Sequence, residues 1–260
     1  MQSSTVSQAS SDKGIIVITG AGQRVGLYCA KALLEHGYQL VVTYRKMTTG
    51  IRELQQAGAQ CIATDLNDLT SMAAFIAALA PYPAIRAVIH NASSWQADRP
   101  QAATAQPQDI LSQLQQDAEV FDAMQHIHAR AAYLLNRALL PQLLASTDPA
   151  DIIHLTDFVA SVGSSKHQAY AASKAALENL TLSLSRKLAP KVKVNSIAPA
   201  LLMFNEHDDA AYREKALKKS LMGIAPGPDE VLQSVLYLLN SRYITGRCLA
   251  LDGGRHLQLP

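Results

Sequence analysis

The fold is decided near the N-terminus by the stretch Ile15-Ile16-Val17-Ile18-Thr19-Gly20-Ala21-Gly22-Gln23-Arg24-Val25-Gly26. Its first five residues are all β-branched and mostly apolar, which is typical of a strand buried on both faces. The glycines that follow predict a tight turn, and helical spacing of apolar residues begins at Leu27. Such a strand–turn–helix unit lets the backbone approach a pyrophosphate at the helix N-terminus, the alternative being a tight turn without a ligand.

The same alternation of strand and helix patterns continues along the chain. We predict strands at residues 15–19, 40–44, 60–63, 85–90, 151–155, 192–197 and 248–251. We predict helices at residues 27–35, 51–56, 71–79, 109–144 (broken near its start), 169–188 and 229–239. Apolar strands separated by helices imply an α/β fold: a single doubly wound Rossmann-type domain, with a mostly parallel seven-stranded sheet and helices on both faces. Residues 1–13 are expected to be a disordered tail, 14–260 the domain, and 201–222 a lid.

Composition excludes several classes of protein. Of the 260 residues 48% are hydrophobic and 17% charged, which excludes a disordered, collagen-like or coiled-coil chain. The net charge of +2 does not favour nucleic-acid binding, and no apolar run is long enough to span a membrane. Three scattered cysteines predict neither disulfides nor a zinc site. Without a signal peptide, the expected location is the cytoplasm.

The end of the predicted second strand has two cations where dinucleotide-binding units often have an acidic residue. The stretch Thr43-Tyr44-Arg45-Lys46 offers no carboxylate to a ribose 2′-hydroxyl. Arg45 and Lys46 would instead attract a 2′-phosphate, which arginine binds through two parallel hydrogen bonds. The sequence therefore predicts NADPH over NADH, the alternative being two solvated surface cations.

A tyrosine and a lysine are four residues apart in the predicted helix 169–188. In Tyr170-Ala171-Ala172-Ser173-Lys174 this spacing puts both side chains on one helix face. A phenol with its usual pKa is a poor acid–base group at neutral pH, and a neighbouring ammonium group lowers that pKa. We therefore expect Lys174 to lower the pKa of Tyr170, and Tyr170 to transfer a proton.

With these motifs the chain resembles the short-chain dehydrogenase/reductase family from Gly14 to His256. Further matching features are Asp65 after the third strand, Asn91-Ala92 after the fourth, Val194-Asn195-Ser196-Ile197-Ala198-Pro199, and the terminal Leu251-Asp252-Gly253-Gly254. The resemblance implies that Asp65 and Asn91 contact the adenine side of the cofactor. It also implies that the tyrosine is the proton donor, that the lysine holds the nicotinamide ribose, and that the protein is a homotetramer.

Three positions depart from the pattern of that family. Arg24 occupies a place that is usually glycine, and His128 a place that is usually asparagine. Asp157 stands where the family has a catalytic serine. A carboxylate there would disfavour a developing alkoxide but suits a nitrogen that gains a proton, which favours chemistry at C=N over C=O. His128 either holds a water that relays protons from Lys174 or is a histidine satisfied inside its helix.

Arg24 and Asp157 resemble the pteridine reductase branch of the family, as does Asn91-Ala92-Ser93-Ser94-Trp95. That branch has an aromatic residue that sandwiches the pterin against the nicotinamide, and Trp95 is the only tryptophan, with loop packing as its alternative role. The branch implies hydride transfer to C6 of a 7,8-dihydropterin, with dihydrofolate reduction as a side activity. Two other functions stay open: a short-chain reductase acting on a ketone or an acyl thioester, and a catalytically silent NADP-binding sensor.

The motifs and the resemblance together assign three groups of site residues. The catalytic group comprises Tyr170, Lys174 and Asp157. The cofactor group comprises Gly20, Gln23, Arg24, Val25, Gly26, Tyr44, Arg45, Lys46, Asp65, Leu66, Asn91, Ala92, Ser93, Tyr170, Lys174 and Pro199. The substrate group comprises Arg24, Ser93, Trp95, Asp157 and Tyr170. No metal is expected, because His126 and His128 do not share a helix face and His207-Asp208-Asp209 is typical of a loop or helix start.

Overall fold

The computed structural model describes residues 13–99 and 109–258. The strands are β1 (Ile15–Thr19), β2 (Gln39–Tyr44), β3 (Gln60–Ala63), β4 (Ala87–His90), β5 (Ala150–Leu155), β6 (Val192–Pro199) and β7 (Cys248–Leu251). They form one sheet in the order β3-β2-β1-β4-β5-β6-β7, and every neighbouring pair is parallel. The predicted doubly wound α/β class is confirmed, with described strands that are all parallel and a switch point between β1 and β4.

The helices alternate with the strands. They are α1 (Arg24–Glu35), α2 (Thr49–Gln56), α3 (Leu69–Ala78), α4 (Ile110–Gln125), α5 (Ala131–Ala138), α6 (Leu140–Leu144), α7 (Val159–Val162), α8 (Gln168–Leu188), α9 (Ala210–Leu217) and α10 (Asp229–Asn240). A π turn, His126–Arg130, joins α4 to α5, and a 3₁₀ helix spans Arg255–Gln258.

The core consists of two apolar layers, one on each face of the sheet. Successive side chains of a strand point to opposite faces, so Ile16 and Ile18 of β1 pack in one layer and Val17 in the other. Helices α1, α2 and α10 cover the first layer, and α3, α5 and the end of α8 cover the second. Because both faces are covered, a ligand can reach the sheet only at the ends of its strands, and doubly wound sheets bind ligands at the carboxyl ends.

The predicted helix at 109–144 is interrupted in its middle, and the expectation of a break near its start is wrong. The π turn at His126–Arg130 widens the helix, and a second interruption falls at Leu139, just before Pro141. Proline lacks the N–H that would continue the hydrogen-bond ladder. The π turn contains no proline or glycine, and it carries the buried side chain of His128.

A buried ion cluster lies at the amino ends of β5 and β6. Asp151 Oδ2 accepts a hydrogen bond from Arg86 Nη1 at 2.5 Å, and Asp151 Oδ1 lies 2.9 Å from Lys193 Nζ. The same cations donate to carbonyl oxygens at the end of α10: Lys193 Nζ to Leu238 at 2.7 Å, and Arg86 Nη2 to Leu239 at 2.6 Å. The cluster thus neutralises the negative end of a helix dipole and anchors α10 to the sheet.

Two expectations fall on residues that the structure does not describe. The predicted tail, apart from residue 13, and the loop at 101–108 lie outside the described ranges. Among the described residues, no helix combines the length and the apolar character that crossing a bilayer requires.

Candidate active site

Two clefts lie at the carboxyl ends of the strands. The first cleft, about 440 Å³, is lined by all the predicted cofactor residues from Gly20 to Ser93. The cleft is also lined by residues that no motif predicted: Gly22, Thr43, Thr48, Thr64, Ser94 and Ile127. The second pocket, about 290 Å³, is lined by Trp95, Asp157 and Tyr170, among others. Neither space is lined by Lys174 or Pro199.

The glycine-rich turn is packed tightly against the exit of β4. Gly20 has φ +71°, and a Cβ there would lie 2.7 Å from the Cα of Ala92. A Cβ on Gly26 would lie 2.4 Å from Nδ2 of Asn91, an amide that donates to the Gly20 carbonyl at 2.8 Å. Only glycine fits these two positions. Asn91 therefore holds the turn in place from the neighbouring strand.

The start of α1 is open to an anion. Gln23 provides no side-chain cap, and the first turn contains no acidic residue. The backbone N–H groups and the positive end of the helix dipole therefore face the first cleft without an anionic partner from their own helix.

Arg24 has an unusual backbone and a distant partner. Its φ of +51° lies in the left-handed region, which glycine adopts without strain and arginine does not. The guanidinium Nη1 donates to Oδ1 of Asn205 at 2.5 Å. The side chain thus connects the glycine-rich turn to the segment after β6.

The exit of β2 contributes the cations predicted to select the cofactor. Arg45 and Lys46 line the first cleft, are exposed, and form no ion pair with another described residue. Thr48 caps α2 by accepting from Ile51 N at 3.2 Å, and its hydroxyl donates to Gly22 O at 2.8 Å. That bridge fixes the cationic segment relative to the glycine-rich turn.

Tyr170 and Asp157 form a hydrogen-bonded pair in the second pocket. The phenol donates to Asp157 Oδ2 at 2.9 Å, while Asp157 Oδ1 accepts from Val159 N at 2.9 Å. Burial raises the pKa of Asp157, and the two hydrogen bonds and the charge of Lys174 oppose that rise. The aspartate in the serine position thus contacts the tyrosine directly.

Lys174 lies behind Tyr170. It is buried, its Nζ donates to Leu155 O at 2.8 Å, and it lies 5.7 Å from the centroid of the Tyr170 ring. Burial lowers the pKa of Lys174 to about 8, and the charge of Asp157 opposes this effect. The ammonium group of Lys174 therefore loses its proton more easily than that of an exposed lysine.

The expected effect of Lys174 on Tyr170 is wrong for this arrangement. Burial raises the pKa of Tyr170 well above its usual value, and the charge of Asp157 and the hydrogen bond to it raise it further. The reason is geometric, because a carboxylate adjoins the phenol while the ammonium donates to a backbone carbonyl. The phenol therefore keeps its proton.

His128 is satisfied by protein groups, which is the second of its two predicted alternatives. The Ser173 hydroxyl donates to Tyr170 O at 2.7 Å, so it accepts from His128 Nδ1 at 2.8 Å. That tautomer leaves Nε2 to accept from Ser93 Oγ at 2.7 Å. Burial lowers the pKa of His128 to about 2, which keeps the ring neutral. Ser93 therefore donates its hydroxyl proton to His128, and its oxygen can still accept a hydrogen bond.

The wall of the second pocket includes Trp95 and residues that were not predicted from the sequence. Trp95 is 60% exposed and meets the ring of His167 edge-on, with centroids 4.7 Å apart. Tyr212, Lys219 and Arg255 also line this pocket. No local motif marks them, because they come from α9, the turn after it, and the 3₁₀ helix.

A remote aspartate caps the helix that carries Tyr170. His167, at the N-cap of α8, makes no capping bond through its side chain. Asp98 Oδ2 instead accepts from Gln168 N at 2.5 Å, and Asp98 Oδ1 from Ala169 N at 3.4 Å. The cap fixes the loop that contains Trp95 to the start of α8.

The part of the chain that the structure describes contains no group of three or more metal-ligating side chains. Asp209 instead caps α9 by accepting from Tyr212 N at 2.7 Å, and Asp208 accepts from Asn205 N at 2.8 Å. The segment His207-Asp208-Asp209 therefore begins a helix.

Comparison with known proteins gives consistent similarities. A family model described as enoyl-(acyl carrier protein) reductase matches residues 20–256. Proteins named dihydromonapterin reductase from Shigella sonnei (strain Ss046) and Escherichia coli (strain K12) are each 49% identical to the chain over 245 residues, covering 94% of it and 97% of the relative. A solved structure of FolM alternative dihydrofolate reductase 1 from Brucella suis, in complex with NADP, has a TM-score of 0.80 at 23% identity. That alignment covers 95% of this chain and 97% of the other, a likeness that concerns the fold.

Proposed function

The chain belongs to the short-chain dehydrogenase/reductase family, and from this we propose that it is an NADPH-dependent enzyme that reduces a 7,8-dihydropterin to the tetrahydropterin. The relatives named dihydromonapterin reductase make dihydromonapterin the expected substrate, with dihydrofolate as a side substrate. One observation carries the proposal: the Tyr170–Asp157 pair lies in a pocket that has Trp95 on its wall. An indole stacks on a flat heteroaromatic ring, and a carboxylate favours a substrate that gains positive charge.

The first cleft fits NADPH by the chemistry of its donors. The uncapped start of α1 and the close-packed glycines at 20 and 26 suit a pyrophosphate. Arg45 and Lys46 suit a 2′-phosphate, and no acidic residue ends β2. Asp65 and Asn91 are proposed to contact the adenine side, and Ser93 offers its lone pairs to an N–H donor of either ligand. When bound, NADPH supplies the hydride.

The protein residues orient the pterin and manage one proton. Reduction of the C6=N5 bond adds the hydride at C6 and a proton at N5. We propose that Tyr170 gives this proton, directly or through an ordered water, because its phenol is protonated at neutral pH and lies on the wall of the pocket proposed to hold the ring. Asp157 holds the phenol in place and stabilises positive charge on the ring that is being protonated. Arg24 and Trp95 are proposed to frame the ring.

The segment 201–222 is the proposed lid. Leu201 and Tyr212 line the second pocket, and Asn205 of the same segment accepts the hydrogen bond from Arg24. A cover at this place would exclude water from hydride transfer. The lid belongs to a proposed single domain, 14–260, whose support is the one sheet that runs from β1 to β7.

A direct assay tests the proposal. Purified full-length protein is mixed with NADPH and 7,8-dihydromonapterin, and the loss of NADPH absorbance is followed. We expect turnover that Tyr170→Phe reduces by about a hundredfold or more. If no dihydropterin is reduced while a ketone or an acyl thioester is, the carbonyl-reductase alternative replaces the proposal. If NADPH binds without turnover of any of these compounds, the sensor alternative replaces it.

We also propose a cytoplasmic homotetramer. Apolar side chains on α4 support an interface: Leu111, Leu114 and Phe121 are exposed at helical spacing, and Leu182 is exposed on α8. The three cysteines are all free, as in a reducing compartment. Light scattering should give about four times the chain mass of 28.0 kDa. A monomeric mass at micromolar concentration would contradict the assembly.

A further inference from the structure

The second pocket has a cationic side that the proposed reaction does not use. Lys219 and Arg255 both line this pocket, together with Asp157 and Tyr170. Within the described residues, neither side chain forms an ion pair or donates a hydrogen bond. The N–H donors of both groups are therefore available to a ligand.

Arg255 is held in place without using its donors. Its guanidinium lies over the ring of Phe158, with 4.7 Å between Cζ and the ring centroid. Phe158 is buried and directly follows Asp157 in the chain. A guanidinium on an aromatic face is oriented by the ring, and its planar edge can still bind a carboxylate or a phosphate bidentately.

The charge around Lys219 is unbalanced. Partial burial lowers the pKa of Lys219, and the charges of Arg255, Lys215 and Lys166 lower it further. Among the lining residues, the one carboxylate is Asp157, which already accepts hydrogen bonds from Tyr170 and from a backbone N–H. An anion on this side of the pocket would relieve repulsion between the cations.

We propose that Lys219 and Arg255 form a subsite for an anionic group on the side chain of the pterin, either a carboxylate or a phosphate ester. The inference rests on the proposed function, because it places the ring between Trp95 and Tyr170 and the substituent of the ring toward the two cations. Dihydropterins whose side chain bears negative charge then gain affinity from these two cations, whereas a neutral side chain leaves the subsite unfilled.

The test uses matched substrates with the full-length protein. One series is 7,8-dihydroneopterin and its monophosphate, and the other is 7,8-dihydrofolate with one and with three glutamates. For native protein we expect a KM about threefold to tenfold lower for the more anionic member of at least one series, with the advantage reduced by added salt. We define the KM ratio as KM for the less anionic member of a series divided by KM for the more anionic member. Lys219→Gln and Arg255→Gln should each lower this ratio toward one.

A matched control is available one residue away. Lys218 is exposed and pairs with Glu214 at 2.6 Å, and it does not line the pocket. Lys218→Gln removes the same charge as Lys219→Gln and should leave the KM ratio unchanged. If the ratio falls as much in Lys218→Gln as in Lys219→Gln, the effect is a general surface field and the subsite is overturned.

The remaining outcomes separate the subsite from the proposed function. A ratio that falls only in the phosphate series assigns the subsite to phosphate, and one that falls only in the glutamate series assigns it to carboxylate. If native protein reduces both members of both series with equal KM, the subsite is overturned while the proposed function stands. If native protein reduces no dihydropterin, the proposed function fails as well. Melting temperatures check folding, and Lys219→Gln, a change at an exposed side chain, decides the matter if Arg255→Gln unfolds.

Discussion

The phenolic oxygen of Tyr170 lies 2.9 Å from Oδ2 of Asp157 and donates its proton to that carboxylate. The negative charge is one cause of the raised pKa of Tyr170, after burial. Asp157→Asn keeps a hydrogen-bond acceptor and removes the charge, so we expect the pKa of Tyr170 to fall by about one unit or more. Phenolate absorbance followed against pH, with Tyr170→Phe as the baseline, measures this change.

The same substitution should affect catalysis in a defined direction. Because Tyr170 is needed in its protonated form, a lower pKa moves the loss of kcat at high pH toward lower pH in Asp157→Asn. Pterin turnover should fall more than NADPH affinity. An unchanged titration of the phenol would show that the carboxylate does not govern Tyr170.

Lys174 predicts a dependence of stability on pH. Its pKa is about 8 in the folded protein and near 10.5 when exposed, so between these values the unfolded chain binds the extra proton. Raising the pH through this range should therefore stabilise the fold, by about 3 kcal/mol at most. Urea unfolding at about pH 7 and about pH 10 measures the gain, and Lys174→Met should lack it. Equal gains in both proteins would contradict the burial of a charged lysine.

The buried histidines predict acid sensitivity. Burial lowers the pKa of His90 to about 4 and of His128 to about 2, and it lowers that of His154 as well. Between about pH 4 and pH 6 the unfolded chain takes up as many as about three protons that the folded protein excludes, so the free energy of unfolding should fall by up to about 4 kcal/mol per pH unit as the pH decreases. His90→Asn removes one of the three histidines, so it should reduce this slope by about 1.4 kcal/mol per pH unit. Equal slopes in His90→Asn and in the exposed-site variant His36→Asn would refute the prediction.

Arg45 and Lys46 predict the choice of cofactor. Replacing them by Arg45→Asp and Lys46→Ser puts a carboxylate at the end of β2, where it would accept from a ribose 2′-hydroxyl and repel a 2′-phosphate. We expect KM for NADPH to rise by about tenfold or more and KM for NADH to fall. Arg52→Asp, a charge reversal on the exposed side of α2, is the control. If the double substitution leaves the preference for NADPH unchanged, Arg45 and Lys46 do not select the cofactor.

Asp98 predicts that a remote cap supports substrate binding. Asp98→Ala removes the acceptor for Gln168 N, which should cost about 1 kcal/mol of stability and raise KM for the pterin by releasing the loop of Trp95. Asp109→Ala is a fitting control, because Asp109 precedes α4 but makes no capping bond through its side chain. Melting temperature and KM, measured on both variants, should change only for Asp98.

The strands and the first cleft were predictable because their signals are local. A β-branched run such as Ile15–Thr19 specifies a buried strand wherever it lies, and the observed strands agree with the predicted ones within two residues at each end. The glycine-rich turn and the pair of cations at 45 and 46 follow directly from strand ends. Parallel topology then brings these strand ends together at one edge of the sheet.

Features that depend on distant partners were not predictable in this way. The π turn presents His128 to Ser93 and Ser173, which are 35 and 45 residues away, so no periodicity in the helix itself marks the interruption. The raised pKa of Tyr170 depends first on burial and then on Asp157, which is thirteen residues away along the chain. Arg255 lines the second pocket from the 3₁₀ helix near the C-terminus, where no sequence motif predicts a side chain that faces a ligand.

The hydrogen bond between Arg24 and Asn205 connects the two proposed ligand sites. One end of the bond belongs to the turn proposed to receive the dinucleotide, and the other to the segment proposed to cover the pterin. A phosphate that attracts the guanidinium weakens the attachment of that segment, and a guanidinium bound to Asn205 is withheld from the phosphate. We therefore expect cofactor binding and the position of this segment to be coupled through Arg24.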